Sequence, residues 1–357
     1  MARKVKGFAT NEGTIRYAKR AQEQRKIPSF HFRKFLDITF TSLGVGTYLG
    51  SLEPEVDVAI ENAIRESLLS GAINIVDSAI NYRFQRSERC IARALSSLVK
   101  QSLVDREEVF LSTKNGYLAP DADHKRGQEK YISDELLAKG VIAREDIVGN
   151  SHCMTVPFLK HELDRSLENL GIETLDLLYL HNSAESQIHV VGKEEYYERL
   201  RSAFGFYESV RKLGKIRYYG LATWNSLLTG RDELDHVDLE DVLAIAEDQG
   251  GKDHGFRFVQ FPLNLSMQEA LNERNQVMNG KLSTLLDVCA HYGIGAFTSV
   301  PLMQGRLARD GESSGALKSL QFVRSCNGVI APLVGHKDPR HVKENVRVAY
   351  LEPRHTQ

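Results

Sequence analysis

Cysteine is scarce: four residues, at positions 90, 153, 289 and 326, with no C-x-x-C pair among them. That argues against a zinc finger and a disulfide scaffold and suits a reducing cytosol, with each thiol serving as a small buried hydrophobe. An excess of one charge is missing too. The 46 Lys and Arg face 47 Asp and Glu, for a formal net charge of -1. Nothing in that balance points to nucleic acid or a membrane surface as partner. No apolar run approaches the ~20 residues of a membrane helix, and no signal-peptide core is present. His124, His152 and His161 lack H-x-H or H-E-x-x-H spacing, so they do not read as a metal site. Finally, no G-x-G-x-x-G follows a first strand, which counts against an open dinucleotide-binding sheet.

What is present is a repeating couplet. A 357-residue chain can hold one large α/β domain. Lys and Arg crowd the first 34 residues, where Glu12 and Glu23 are the only acids, so residues 1–29 read as a basic, flexible, solvated extension. From residue 30 to 357 the pattern is that of a single domain. Two short strands come first, 31–37 and 38–44, the second running on into GVGTYLG. Residues 55–70 place Val56, Ile60, Ile64 and Leu68 on one helical face, with Gly71 where a C-cap glycine belongs. Strand-like runs then recur at 73–77, 109–113, 174–181, 216–222, 256–261, 294–300 and 328–335. Helical patterns at 87–99, 155–171, 194–213, 238–249, 281–293, 314–325 and 339–350 separate or follow them. Counting from TSLG there are eight strands, nearly all followed by a helix. Such alternation means parallel strands with right-handed crossovers, and eight repeats suit a closed (β/α)8 barrel. Two connections break the rhythm, a polar insertion at 115–153 and a loop at 182–194; both follow strands and so lie on the face where barrels keep their sites.

Polar residues that close barrel strands converge on one mouth. The second strand ends on Asp77, the third on Lys114 and the fourth on His181, while Tyr82 follows the second. A free phenol titrates near ~10, and a neighbouring ammonium should move it down towards the operating range. Asp77 would keep Lys114 protonated, and His181 would hold a substrate carbonyl by a hydrogen bond. The set suits an acid that protonates a developing alkoxide.

These residues carry a specific resemblance. LGVGTY, DSAINYRFQRSE, STK and LYLHN, behind a short hairpin that closes the barrel bottom, resemble the aldo-keto reductases. The similarity runs over nearly the whole chain from about residue 30. It implies a metal-free NADP(H)- or NAD(H)-dependent reductase of small carbonyl compounds, with the catalytic tetrad on Asp77, Tyr82, Lys114 and His181. It further implies that Gly46, Thr47 and Tyr48 line the nicotinamide and ribose end. In GLATWN the family's carboxamide-binding Ser-Asn pair falls on Ala222 and Thr223, of which only Thr223 can bond, and Gln260 matches the other carboxamide ligand. In TSVPLMQGRL, Ser299 takes the place of an aromatic ring that stacks on nicotinamide, with Pro301 and Leu302 following. Glu344 and Asn345 fall on adenine contacts. The residues that grip a 2′-phosphate are replaced by Gly335, His336 and His341, with Lys337 and Arg340 near enough to substitute. NADP(H) is therefore favoured and NAD(H) possible. Two other readings stay open: a nicotinamide-nucleotide sensor with little catalysis, and a Schiff-base aldolase acting through Lys114. The sequence gives no substrate and no oligomeric state.

Overall fold

A computed structural model describes residues 4–308 and 315–354. Eight parallel strands close a barrel: Gly44–Gly46, Ile75–Asp77, Phe110–Asn115, Leu175–His181, Ile216–Ala222, Phe256–Pro262, Gly295–Ser299 and Val329–Gly335. They pair in chain order, and the eighth returns to the first. Register sets the levels of the mouth. Asp77 lies level with Gly46 on one side and Ser112 on the other, and Ala222 lies level with both His181 and Gln260.

Below the mouth the barrel is filled with rings. Phe258 and Phe297 stack at 5.6 Å between centroids, and Phe40 meets Phe110 edge-on at 4.9 Å. Phe40 comes from the antiparallel hairpin Phe32–Phe35 and Ile38–Thr41, which closes the floor. A packed interior of this kind leaves a ligand only the rim. Outside, helix Pro54–Leu69 starts with proline in its first turn and buries Ile60, Ala63, Ile64 and Leu68, the apolar stripe that its spacing requires.

Three segments differ from expectation. The basic extension is not a free arm: residues Asn11–Arg25 form a helix, capped by the Thr10 hydroxyl, with Tyr17, Ala18 and Ala21 buried. Those three residues make a stripe at helical spacing that the dense charge conceals. The Tyr17 hydroxyl lies within hydrogen-bond reach of the carbonyls of Leu68 and Ile73, at 2.8 and 2.7 Å, and shares its one proton between them. Arg20 is forked on buried Glu108 at 2.7 and 2.6 Å, so the missing acids lie elsewhere in the chain. A side chain at Gly13 would run into the Glu107 carbonyl at 2.3 Å, so the helix sits directly on that turn. Residues 1–3 of the extension lie outside the described residues.

The expected loop at 182–194 holds a helix, Ser183–Val191. The expected helix at 281–293 begins instead as an antiparallel strand, Lys281–Ser283, paired with Gln276–Met278; the helix itself is Leu285–Tyr292, capped by Thr284. The insertion at 115–153 is folded around short helical pieces and closed by a bridge between Tyr117 and His152.

Candidate active site

The barrel mouth opens into a pocket of about 790 Å³ that reaches from Tyr82 and His181 to Lys337 and Asn345. Asp77 is buried at its floor. Lys114, 1% exposed, lies behind it and donates from Nζ to Asp77 Oδ2 at 2.5 Å and to the Ser78 carbonyl at 2.7 Å. The same ammonium stands 4.9 Å from the centroid of the Tyr82 ring. Tyr82 meets His181 edge-on at 5.9 Å and Tyr48 at 5.0 Å. The structure thus brings Asp77, Tyr82, Lys114 and His181 to one opening.

Electrostatics give each group a state. Burial alone would lower the Lys114 pKa, but the charge of Asp77 and contact with Tyr82 outweigh it and raise the ammonium above its ordinary value. The phenol departs from expectation. Burial raises the Tyr82 pKa and the Lys114 charge lowers it, and burial wins, leaving the phenol above its usual range. Tyr82 therefore stays protonated at neutral pH. His181 is pushed well below the imidazole range by burial, by Lys114 and by His152, and is neutral.

The residues expected to meet a dinucleotide mostly share this pocket. Gly46, Thr47, Tyr48, Thr223, Gln260, Ser299, Pro301, Leu302, Gly335, Lys337, Glu344 and Asn345 all line it. Arg340 does not: its guanidinium is forked on Asp338 at 2.6 to 3.1 Å, a carboxylate that caps the following helix by accepting the Arg340 N–H at 2.8 Å. Several of the lining donors are committed inside the protein. The Gln260 amide donates to Asp77 Oδ1 at 3.1 Å, the Thr223 hydroxyl is bonded to Glu185, and Asn345 is paired with His336 at 3.1 Å. His336, on a phosphate-gripping position, is neutral, because burial lowers its pKa to about 3. A Cβ added at Gly335 or Gly305 meets nothing within 4 Å, so the wall there is open to a ligand. A pocket of this volume has room for a ligand of dinucleotide size.

The family model for aldo/keto reductases matches residues 42–327. The chain belongs to the aldo/keto reductase family. An uncharacterized oxidoreductase of Schizosaccharomyces pombe is 22% identical over 292 residues, 78% of this chain and 71% of the other. Among solved structures, a glycerol dehydrogenase of Gluconobacter oxydans superposes with a TM-score of 0.60 at 16% identity, covering 90% of both chains. An aldo/keto reductase of Klebsiella pneumoniae in complex with NADP and acetate gives 0.57 at 16% identity over 88% of each chain. The likeness to these solved structures shows the fold.

Within this aldo/keto reductase, several residues at the site had no signal in sequence. Ser112, two residues before Lys114 and so on the same side of the strand, donates to Asp77 Oδ1 at 2.7 Å. That alternation was readable; the bond was not. His152 bonds the His181 carbonyl at 2.9 Å and meets the ring of Tyr117 at 5.2 Å, which in turn stands edge-on to His181 at 5.0 Å. Asn81 lines the pocket with a buried, unpartnered Oδ1. Glu185 lies on the helix that replaced an expected loop. Among the described residues no group of His, Cys, Asp and Glu could hold a metal ion, and no helix is long and apolar enough to cross a membrane.

Proposed function

We propose that this aldo/keto reductase reduces an aldehyde or ketone to the alcohol, with NADP(H) preferred to NAD(H) and Tyr82 as proton donor. One observation carries the reading: a buried ammonium, 2.5 Å from Asp77, stands 4.9 Å from the ring of a phenol at the pocket wall. A nicotinamide cofactor in the pocket supplies the hydride. As the substrate carbonyl gains electrons its oxygen becomes basic, and the Tyr82 hydroxyl gives it a proton. The phenolate left behind is stabilised by Lys114, whose own charge Asp77 balances in advance. Neutral His181 offers an N–H to the same oxygen and fixes the carbonyl's angle. NADP(H) is favoured by Lys337, the only Lys or Arg among the described residues lining the pocket. The Klebsiella relatives in complex with NADP or NADPH point the same way.

A Schiff-base aldolase needs a neutral amine, and Asp77 holds Lys114 charged, so that reading is disfavoured. The test follows NADPH oxidation with nitrobenzaldehyde. Tyr82→Phe should lower kcat on the order of 10²–10⁴-fold and leave NADPH affinity nearly as it was. Wild-type turnover in that variant removes the role given to Tyr82. Tight NADPH binding with no turnover on any carbonyl compound makes the protein a nucleotide sensor.

A further inference from the structure

Helix Ser183–Val191, which follows the fourth strand, brings Glu185 to the turn after the neighbouring fifth strand. Its Oε1 accepts three successive backbone N–H groups, from Trp224 at 2.8 Å, Asn225 at 2.7 Å and Ser226 at 2.9 Å, together with the Thr223 hydroxyl. Consecutive main-chain N–H groups form a concavity that attracts an anion, and here the chain's own carboxylate fills it. The turn is also tied by the Thr223 N–H to the Gln260 carbonyl at 2.8 Å and by the Val237 N–H to the Ser226 carbonyl at 2.9 Å. Glu185 is nevertheless the acceptor that the Trp224 and Asn225 N–H groups share, and the turn carries Trp224, 42% exposed, on the pocket wall. Without the carboxylate, the Trp224 and Asn225 N–H groups lose their acceptor, while the Ser226 N–H keeps the Thr223 hydroxyl at 2.9 Å, and the turn around Trp224 gains by opening to water.

The same end of the pocket is aromatic, and its buried charges, Asp77 and Lys114, are paired with each other. Tyr48, Tyr82, His181 and Tyr117 follow one another in edge contact at 5.0, 5.9 and 5.0 Å. Lys337 and Glu344 follow the eighth strand, across the barrel from the fourth, which bears His181.

We infer that Glu185 is the positioning residue that sets the Trp224 wall, and that this wall selects uncharged carbonyl compounds with a flat apolar body, aryl aldehydes foremost, over small aliphatic or carboxylate-bearing ones. The substrate class rests on the reductase reading; the clamp does not. A flat ring gains area against Trp224 and the tyrosines, whereas a carboxylate meets only an ammonium already paired with Asp77 and loses its hydration.

Trp224 is the chain's only tryptophan, so fluorescence excited at the red edge, beyond tyrosine absorption, reports on this turn alone. Glu185→Ala should shift its emission to the red and lower its anisotropy. The ratio of kcat/KM for benzaldehyde over propanal should fall about tenfold, and quenching of Trp224 by benzyl alcohol should need about tenfold more ligand. Glu185→Gln keeps one acceptor oxygen, should recover part of each effect, and carries the test if the alanine variant does not fold. Emission and ratio unchanged in the folded variants overturn the clamp. A wild-type enzyme that prefers propanal or pyruvate to benzaldehyde overturns the substrate class. If wild type reduces none of the three while the emission of Glu185→Ala still shifts to the red, the reductase reading fails and the clamp stands.

Discussion

Asp77 has both oxygens engaged: Oδ1 by Ser112 and Gln260 at 2.7 and 3.1 Å, Oδ2 by Lys114 at 2.5 Å. A carboxylate so held fixes the ammonium beside it. Lys114→Met removes the one group that lowers the Tyr82 pKa against burial. The phenol, already above its ordinary value, should rise further, so the alkaline limb of the kcat profile moves to higher pH while the plateau falls ~10²-fold or more. An unmoved limb would separate the two groups. Asp77, Tyr82, Lys114 and His181 were legible in sequence because three of them end apolar strands and the fourth follows at fixed spacing. Ser112 and Glu185 were not, because a hydrogen bond between distant side chains leaves no periodic trace. The phenol's state was misread for a related reason: the spacing displays the ammonium but not the burial that opposes it.

Among the elements, the short turn between Tyr82 and helix Arg86–Lys100 holds the most strain. Arg83, Phe84 and Gln85 have φ of 49°, 52° and 73°, three successive non-glycine residues in the left-handed region. Each costs about 1–3 kcal/mol and persists only where its surroundings insist on it. Here Arg83 donates to Asp57 and the Ser51 carbonyl, both at 2.5 Å, and Gln85 donates to the Ala119 carbonyl at 2.8 Å. Arg83→Met should cost roughly 1.5–3 kcal/mol, the range for hydrogen bonds to a charged group, and lower kcat through a displaced Tyr82. Thermal melts with single-turnover rates would check both; a large Tm loss with an intact chemical step would detach the turn from the proton donor. NYRFQRSE contains no glycine to announce this conformation. The eight barrel strands were readable because buried parallel strands are short apolar runs. The hairpin Gln276–Met278 with Lys281–Ser283 was not, because its few residues lack enough alternation to stand out from the helix that follows.

For the molecule as a whole, acid is the sharpest probe. Burial holds the pKa of His31 and His336 at about 3 and that of His152 at about 4. Unfolded imidazoles take up a proton near ~6.5. Between those values the unfolded chain binds more protons than the folded one, so stability rises with pH across the window. It should be complete above ~6.5 and fall as pH drops towards 4. His31 lies at the barrel floor, bonded to the Ala72 carbonyl at 2.8 Å and Ser42 at 2.9 Å. His31→Gln should reduce the slope of unfolding free energy against pH by about one proton; denaturant titrations from pH 4 to 7 would measure it, and an equal slope would deny His31 its share.

Helix Asn11–Arg25 also has a bearing on how the protein is made. The Ala9 N–H just ahead of it donates to Asp176 at 2.7 Å, and Tyr17 caps carbonyls at 68 and 73. On a ribosome this helix emerges well before its anchor in the fourth strand, 167 residues beyond Ala9. Its apolar stripe must wait in solution, and the dense Lys and Arg around that stripe keep the nascent segment soluble until its seat exists.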